Sequence, residues 1–347
     1  MMLPWLVLAA LTTSPQPQAG DLPTGPAAVS VAANVAEVPD LSQGGERGTR
    51  PTNTEQALQW LGSLSQALTH DNYVLSLVKV QEGRVQPFRY EHGVIDGEQV
   101  EHLVFLNGPP REVVRKGDIV TLLDMDHSPF SYRADSIRGP IPDALLAPPK
   151  DLAEHYDLVL AGISRIAGHP AQLLRIVPKD SYRHGYWIWI DKDSRLPLRV
   201  DRVAQDADVI EQLMVVDLDQ LDGPSEHLQR VAQVSFPAPS AAASQLQPQA
   251  LGSVNWLPPG FHPVVANYHR LALLGEGVDY WLYSDGLAEI AVYINPSAPS
   301  QELTIHQNGF YNLVGINHGG IEVMVVGTVP TAALERVASQ VSLTGRQ

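Results

Sequence analysis

The chain has 347 residues, of which 44% are hydrophobic and 18% are charged, so it is long enough for about two domains with apolar cores of their own. Its net charge of −15 argues against a protein that binds nucleic acid, because phosphates are neutralised by clustered lysine and arginine. The sequence contains no cysteine, which excludes thiol catalysis, thiolate metal sites and disulfide bonds.

The first fifty residues predict export. An apolar run from Leu3 to Leu11 is followed by small residues, which is typical of a secretory signal peptide, and we assign residues 1–19 to it. Residues 20–51 are rich in Pro, Ala, Gly, Ser and Thr and predict a disordered leader. Later apolar runs are all shorter than the ~18 residues of a membrane-spanning helix, so we expect the mature protein to be soluble.

Residues 52–220 predict a helix followed by many strands. Thr52 and Glu55 form a capping box, and the buried stripe of the helix is predicted to contain Ala57, Leu61, Leu64 and Leu68. Eight or more apolar runs follow, separated by turns such as the one at Asp96-Gly97. Short loops favour antiparallel pairing, and a sheet of this size curls or closes. We therefore predict an α+β, mostly antiparallel fold with a concave face on which the helix can lie.

The stretch "PKDSYRHGYWIWIDKDSRLPLRV" at residues 178–200 predicts a β-hairpin with a turn at "DKDSR". Alternation puts two sets of side chains on opposite faces of the strand, Tyr182, Tyr186, Ile188 and Ile190 on one and Arg183, Trp187 and Trp189 on the other. Both faces are largely apolar, which suits an ordinary β-sandwich core or the wall of an apolar container. The alternation leaves open which face lies inside.

Residues 221–250 predict an interdomain linker, because "FPAPSAAASQLQPQA" has no apolar period. Residues 251–345 predict a smaller α+β domain of several strands and a closing helix. In that helix Thr331 is the expected N-cap, and the buried stripe is expected to contain Leu334, Val337, Ala338 and Val341.

The sequence lacks the common catalytic and metal-binding motifs. Its twelve histidines include no H-x-H, H-x-x-x-H or H-E-x-x-H pair, and neither a nucleophile elbow nor a phosphate-binding glycine loop occurs. We predict no metal, no cofactor and no enzymatic activity. A hydrolase acting through Asp124, Asp126 or His127 remains as an alternative, although such carboxylates are more often solvated turn residues.

A basic loop is the other segment of interest. In "NGPPREVVRKGD" two prolines stiffen the chain and Arg111, Arg115 and Lys116 follow. These charges either face solvent on a stiff hairpin loop or form the rim of a site for an anionic headgroup.

Taken in order, several segments between residues 53 and 343 resemble the RseB/MucB family of periplasmic regulators of the envelope-stress sigma factor. They are "LNGPPREVVRKGD", the stretch from "YDLVLAGIS" to "RLPLRV", "DVIEQLMVVDL" and, further on, "LPPGF", "YSDGLAEIAVYI" and "VVGTVP". The resemblance implies a half-open β-barrel of the LolA/LolB type followed by a small α+β domain. It also implies a periplasmic protein that binds and protects the periplasmic part of a membrane-anchored anti-sigma factor, and that releases it on a lipid-type or lipopolysaccharide-type signal.

Three sets of candidate residues follow from combining the resemblance with the residue pattern. The lipid-cavity candidates are Tyr182, Tyr186, Ile188, Ile190 and Leu198. The candidates for an anionic rim are Arg111, Arg115, Lys116 and Arg183. The partner-binding candidates are Trp187, Trp189, Tyr283, Asp285 and Tyr293. The alternative function is a periplasmic lipid or lipoprotein carrier, and a homo-oligomer is possible.

Overall fold

A computed structural model describes residues 53–81, 83–125, 128–137, 139–146, 152–239, 252–270, 277–295, 304–308, 311–318 and 321–343. The predicted signal peptide and leader, the capping residue Thr52, and Asp126 and His127 lie outside the described residues. The same is true of the part of the predicted linker from 240 to 250.

Eleven strands form one antiparallel sheet, which confirms the predicted fold class. In chain order they are β1 (Asn72–Gln81), β2 (Arg84–Ile95), β3 (Glu98–Phe105), β4 (Arg111–Lys116), β5 (Ile119–Asp124), β6 (Phe130–Arg133), β7 (Tyr156–Ile166), β8 (His169–Pro178), β9 (Gly185–Asp191), β10 (Pro197–Val203) and β11 (Val209–Leu221). Their order in the sheet is β6-β5-β4-β3-β2-β1-β11-β10-β9-β8-β7. The described parts of β6 and β7 do not pair with each other, so the barrel stays half open.

Local turn chemistry sets the register of the hairpins. Asp96 and Gly97, between β2 and β3, both have positive φ, 53° and 84°, the conformation that a two-residue hairpin loop requires. The predicted turn at this position is therefore confirmed. The predicted aromatic hairpin is also confirmed, because β9 pairs with β10 across the turn after Asp191.

Helix α1 (Asn53–His70) lies against the concave side of the sheet, and its predicted stripe of Ala57, Leu61, Leu64 and Leu68 is buried. It contacts β7 and a short 3-10 helix (Asp143–Leu146). The first turn of α1 also shields the edge strand β7, since the Leu160 amide donates to Asn53 Oδ1 at 2.8 Å. A four-residue helix, α2 (Leu152–His155), leads into β7.

A second sheet follows, with an apolar core of its own. Its strands are β13 (His262–Arg270), β14 (Gly277–Ser284), β15 (Glu289–Asn295), β16 (Thr304–Asn308), β17 (Tyr311–His318) and β18 (Ile321–Gly327), in the order β13-β14-β15-β18-β17-β16. Helix α4 (Thr331–Ser339) covers one face, and β12 (Gly252–Val254) pairs with β19 (Val341–Leu343). We call residues 53–221 the half barrel and residues 252–343 the second unit.

Helix α4 confirms its predicted stripe and corrects its predicted cap. Leu334, Val337 and Ala338 are fully buried, and Val341 is buried as well. The N-cap position is taken by Pro330, with no side-chain hydrogen bond, and Thr331 is already the first helical residue. Proline suits a position next to a helix start because its fixed φ costs nothing there.

The predicted linker contains a helix, α3 (Glu226–Gln233), which packs on β2 and β3. Sequence reasoning missed this helix because its apolar stripe is only three residues long, Leu228, Val231 and Ala232, and is followed closely by the aperiodic "FPAPSAAASQLQPQA". Within the described residues, no helix has both the length and the apolar composition that crossing a bilayer requires.

Candidate functional site: a cavity between the half barrel and the second unit

A cavity of about 250 Å³ lies where the concave side of the half barrel meets the second unit. The half barrel contributes apolar side chains from strands at both ends of its sheet, which only a curved sheet can bring together: Phe105, Val113, Leu122, Phe130, Tyr132 and Tyr186. The second unit contributes Ser284, Gly286, Leu287, Glu289, Tyr311 and Thr328. The volume is slightly below the roughly 300–1,000 Å³ of typical small-molecule sites. It therefore suits a hydrocarbon segment better than a whole lipid.

A charged cluster lies at one side of this cavity. Arg202 and Glu211 line it, at 3.4 Å from each other, and Lys79 Nζ lies 3.1 Å from the Glu211 carboxylate. Burial lowers the pKa of the Lys79 ammonium, and the attraction of Glu211 opposes this only in part. Arg202 also donates to the Thr328 carbonyl of the second unit, at 3.4 Å. The cluster thus joins cavity wall and second unit.

His184 lies beside this cluster, in a neutral state at ordinary pH. Its side chain is buried, and burial together with the positive charge of Arg202 lowers its pKa from 6.5 to about 4. A cation cannot easily be added next to Arg202 in a dry environment. His184 therefore acts as an uncharged packing residue.

Arg111 lies at the opposite side of the cavity. Its guanidinium lies over the Phe105 ring, 5.4 Å from the centroid, and Asp124 is its partner in the β4–β5 register. All three residues line the cavity. The arrangement places a guanidinium, with the Asp124 carboxylate opposite it in the register, at the border of an apolar space.

A dry junction next to the cavity joins the two units. Arg183 Nη1 lies 3.2 Å from Asp285 Oδ2, and both side chains are fully buried. Asp285 also accepts from the Tyr156 hydroxyl at 2.7 Å, and Arg183 donates to the Pro259 carbonyl. Burial, followed by the adjacent Asp285 carboxylate, raises the pKa of Tyr156. A buried charge pair with these extra hydrogen bonds fixes the orientation of the partners because either charge alone is costly.

Of the lipid-cavity candidates, Tyr186 lines the cavity. Ile188, Ile190 and Leu198 are fully buried in the half-barrel core next to it. Tyr182 lies elsewhere: it packs edge-on against Trp256 at 5.1 Å and accepts from Arg336, both in the second unit. Strand β9 begins only at Gly185, so the alternation that grouped Tyr182 with Tyr186 extends beyond the strand.

Of the rim candidates, only Arg111 borders the cavity. Arg115 is buried and pairs with Glu101 inside the half barrel, and Arg183 is buried in the junction. Lys116 faces the outer side, where Nζ donates to the Val234 carbonyl at 3.2 Å. The predicted cluster separates because the three residues lie on one strand, with opposite faces and roughly 16 Å between its ends.

The partner-binding candidates are mostly covered. Tyr283 and Tyr293 are buried, with Tyr293 against Tyr280 at 4.9 Å, and Asp285 is a half-buried residue whose side chain is fully buried in the junction. Trp187 and Trp189 lie on the face of β9 opposite to Tyr186. They are covered by arginine side chains, Arg175 over Trp187 at 4.9 Å and Arg199 over Trp189 at 4.5 Å.

Sequence reasoning missed the contribution of the second unit to the cavity, above all Leu287 and Thr328. These residues lie in turns with no periodic signal, so only the tertiary arrangement reveals them. It also missed Arg202 and Glu211, which the alternation of β10 and β11 could have identified as opposed charges on paired strands. The described residues contain no cluster of three or more histidine or acidic side chains that could hold a metal ion.

Comparison with known proteins agrees with the two-part architecture. The model of the MucB/RseB N-terminal domain matches residues 56–251, and that of the MucB/RseB C-terminal domain matches residues 248–342. The sigma-E factor regulatory protein RseB of Escherichia coli strain K12 is 28% identical over 291 residues, which covers 84% of this chain and 91% of RseB.

Two solved structures extend the comparison. MucB in the MucA/MucB complex of Pseudomonas aeruginosa superposes with a TM-score of 0.67 at 27% identity, covering 84% of this chain and 99% of that one. A crystal structure of MucB superposes with a TM-score of 0.59 at 27% identity, covering 83% and 98%. The two family models together span most of the sequence, and the chain belongs to the MucB/RseB family.

Proposed function

We propose that this chain is a periplasmic regulator that binds the periplasmic part of a membrane-anchored anti-sigma factor, protects it from proteolysis and so keeps a stress sigma factor inhibited. The observation that carries the proposal is the similarity to MucB solved with MucA, which extends over 84% of the chain. The proposed function is binding, without catalysis.

The arrangement of the two units supports the inference that this structure represents the form that holds the anti-sigma factor. The chain superposes better on MucB in the MucA/MucB complex than on MucB in the other crystal structure, with TM-scores of 0.67 and 0.59 at equal identity. We infer that the Arg183–Asp285 junction belongs to the arrangement that holds the partner. We also infer two domains, residues 52–220 and 251–345, joined by residues 221–250.

The proposed signal is a lipid whose acyl chain enters the cavity. The lining is mainly apolar, and each buried methylene group contributes about 0.8 kcal/mol without a directional partner. Arg111 is the one rim candidate that borders the cavity and is the proposed headgroup contact. Because Leu287 and Thr328 of the second unit also form the wall, an occupant that pushes on them changes the contact between the units.

Co-elution of the full mature chain with the periplasmic domain of its anti-sigma factor tests the binding function. We expect a stable complex on size exclusion, and slower cleavage of the anti-sigma domain in the complex by the protease that starts its degradation. If the two proteins form no complex although circular dichroism shows that both are folded, the proposal is contradicted.

Uptake of a fluorescent fatty acid tests the lipid proposal separately. Val113→Phe fills the cavity from β4, whereas Val104→Phe adds the same ring to the outer face of the neighbouring β3. We expect Val113→Phe to weaken uptake about tenfold, or about 1.4 kcal/mol, and Val104→Phe to leave it unchanged. Equal uptake by both variants would contradict a lipid in this cavity.

A lipid or lipoprotein carrier is the second candidate, favoured by the same apolar lining. The two functions differ in what the second unit does, since a carrier does not need its cavity wall to report on a partner. Complex formation that is indifferent to fatty acid, together with transfer of lipid to acceptor vesicles, would favour the carrier.

A further inference from the structure

The segment after β11 is held on the outer face of the half barrel, opposite to the cavity. We call residues 224–236 the strap; it contains α3 and lies over strands β2, β3 and β4. Leu228 is its one fully buried side chain. The strap lies within the connection between Leu221 and Gly252, the nearest described strand residues of the two units.

Gly93 on β2 makes room for the strap. A Cβ atom at this position would lie 3.0 Å from Leu228 Cδ2 and Pro224 Cβ of the strap, and 3.0 Å from Asn72 Oδ1 on β1, closer than nearly all real contacts. The backbone of Gly93 is ordinary strand, so the close approach of the strap, and not its φ angle, accounts for the missing side chain. The outer face is thus shaped to receive α3.

Polar contacts hold both ends of the strap. Ser225 caps α3 by accepting from the Leu228 amide at 3.0 Å, and its hydroxyl donates to Glu91 Oε2 at 2.6 Å. Burial alone would raise the pKa of Glu91, but the hydrogen bonds from Ser225 and Arg89 outweigh it and lower the pKa, so the carboxylate stays charged. At the other end, Lys116 Nζ donates to the Val234 carbonyl.

Two histidines face each other in the centre of this contact. His102 Nδ1, on β3, lies 3.0 Å from His227 Nε2, on α3, and the rings stack with centroids 5.1 Å apart. The other nitrogen of His102 lies 2.8 Å from Glu112 Oε2. His102 is buried, whereas His227 is exposed to solvent on its outer side.

The geometry allows only one proton between the two rings. Glu112 accepts from His102 Nε2–H, so in the neutral pair His102 Nδ1 accepts from His227 Nε2–H. One added proton is tolerated, because His102 can then donate to His227. With a second proton, two N–H groups and two positive charges meet at 3.0 Å, and the hydrogen bond is lost.

The charged groups around the pair do not remove this conflict. Glu112 faces His102 from β4, and Glu91 faces it from β2 but is engaged by Ser225 and by Arg89 at 2.9 Å. On α3 itself, Glu226 and Arg230 form a loose exposed pair at 3.9 Å. The carboxylates attract the added charge but cannot place an acceptor between the two imidazole nitrogens.

We propose that the strap is a proton-sensitive latch, which His102 and His227 hold closed at neutral pH and which opens when both imidazoles are protonated. When α3 is released the two imidazoles can each take up a proton, whereas the docked pair takes up only one, so acid shifts the equilibrium towards release by linkage. Imidazoles protonate between about pH 5 and 8. Release lengthens the tether between the two units without breaking the junction. This latch does not depend on the proposed function.

Spin labelling tests the latch directly. The chain has no cysteine, so Gln233→Cys at the exposed end of α3 carries a single nitroxide. We expect an immobilised spectrum at pH 7.5, a mobile one at pH 5.0 and a midpoint between the two, with unchanged far-ultraviolet circular dichroism. Gly93→Val in the same background provides the spectrum of the released strap at both pH values.

Three histidine variants decide the outcome. In His227→Gln and in His102→Gln the mobility of the label should no longer depend on pH, whether the strap is docked or released. In His262→Gln, an exposed histidine of the second unit, the transition should remain as in the parent. A parent protein without a transition between pH 7.5 and 5.0, or a transition that persists in either His227→Gln or His102→Gln, would overturn the proposal.

Discussion

The half barrel contacts the rest of the chain in two different ways. The junction on its β9 side is dry: the Arg183–Asp285 pair is fully buried. The strap on its β2–β4 side depends on one buried leucine and several partly exposed polar contacts, among them a histidine pair. The junction therefore resists salt and mild acid, whereas the strap is the part of the connection that solution conditions can release.

This difference assigns separate roles to the two contacts. The junction adjoins the cavity wall, because its Asp285 accepts from the amide of Leu287, which lines the cavity together with Thr328. A cavity occupant can therefore act on the junction. The strap lies on the opposite face of the sheet, and none of its residues is among those that line the cavity. A lipid and a proton would thus act on two independent elements of one protein.

Removing the buried charge of the junction should have the largest effect on stability. Arg183→Met leaves the Asp285 carboxylate buried without its cation, and we expect the free energy of unfolding to fall by about 3–5 kcal/mol. Denaturant unfolding of the full chain measures it. Adding Asp285→Asn should restore part of the loss.

The exposed Arg133–Asp118 pair offers the matched control for this prediction. Arg133→Met should change stability by no more than about 0.5 kcal/mol, as for other surface substitutions. Equal losses for Arg183→Met and Arg133→Met would show that the junction is no more buried in solution than the surface pair.

Acid should weaken the half barrel without opening the junction. His184 has a folded-state pKa of about 4 against an ordinary value of 6.5, so the unfolded chain binds its proton first as the pH falls. The contribution of His184 to the free energy of unfolding is fully present above about pH 6.5. It decreases by about 3 kcal/mol in all as the pH falls from 6.5 to 4, and it levels off below pH 4.

Urea unfolding at several pH values measures this dependence. In His184→Gln the decrease of the free energy of unfolding that His184 causes between pH 6.5 and 4 should disappear. In His70→Gln, a substitution at the exposed end of α1, the same decrease should remain. An unchanged slope in His184→Gln would mean that His184 is hydrated and titrates normally in the folded protein.

Loss of the helix cap should have the smallest effect, and only on the strap. Ser225→Ala removes both the α3 cap and the hydrogen bond to Glu91, which together should weaken docking by about 1 kcal/mol. The mobile fraction of a nitroxide at position 233 should rise about fivefold at pH 7.5. Ser339→Ala, at the end of α4, should leave that fraction unchanged.

The sequence predicts the half barrel well and its site only in part. Period-two patterns and turn residues such as Asp96-Gly97 predict the strands because both are local signals. The pattern of 178–200 separates Tyr186 from Trp187 correctly, but it cannot tell that residues 182–184 precede the strand. Arg183 resembled a rim cation because its partner, Asp285, lies 102 positions further along the chain. Such long-range pairs have no local signature.

Calorimetric titration of the delipidated chain with the periplasmic domain of its anti-sigma factor, with and without saturating fatty acid, tests the central claim most directly. The account predicts tight binding without fatty acid, at least tenfold weaker binding with it, and about a tenfold higher fatty-acid concentration for the same loss of affinity in Val113→Phe. Failure to bind without fatty acid, or one affinity under both conditions in the unsubstituted chain, would contradict it.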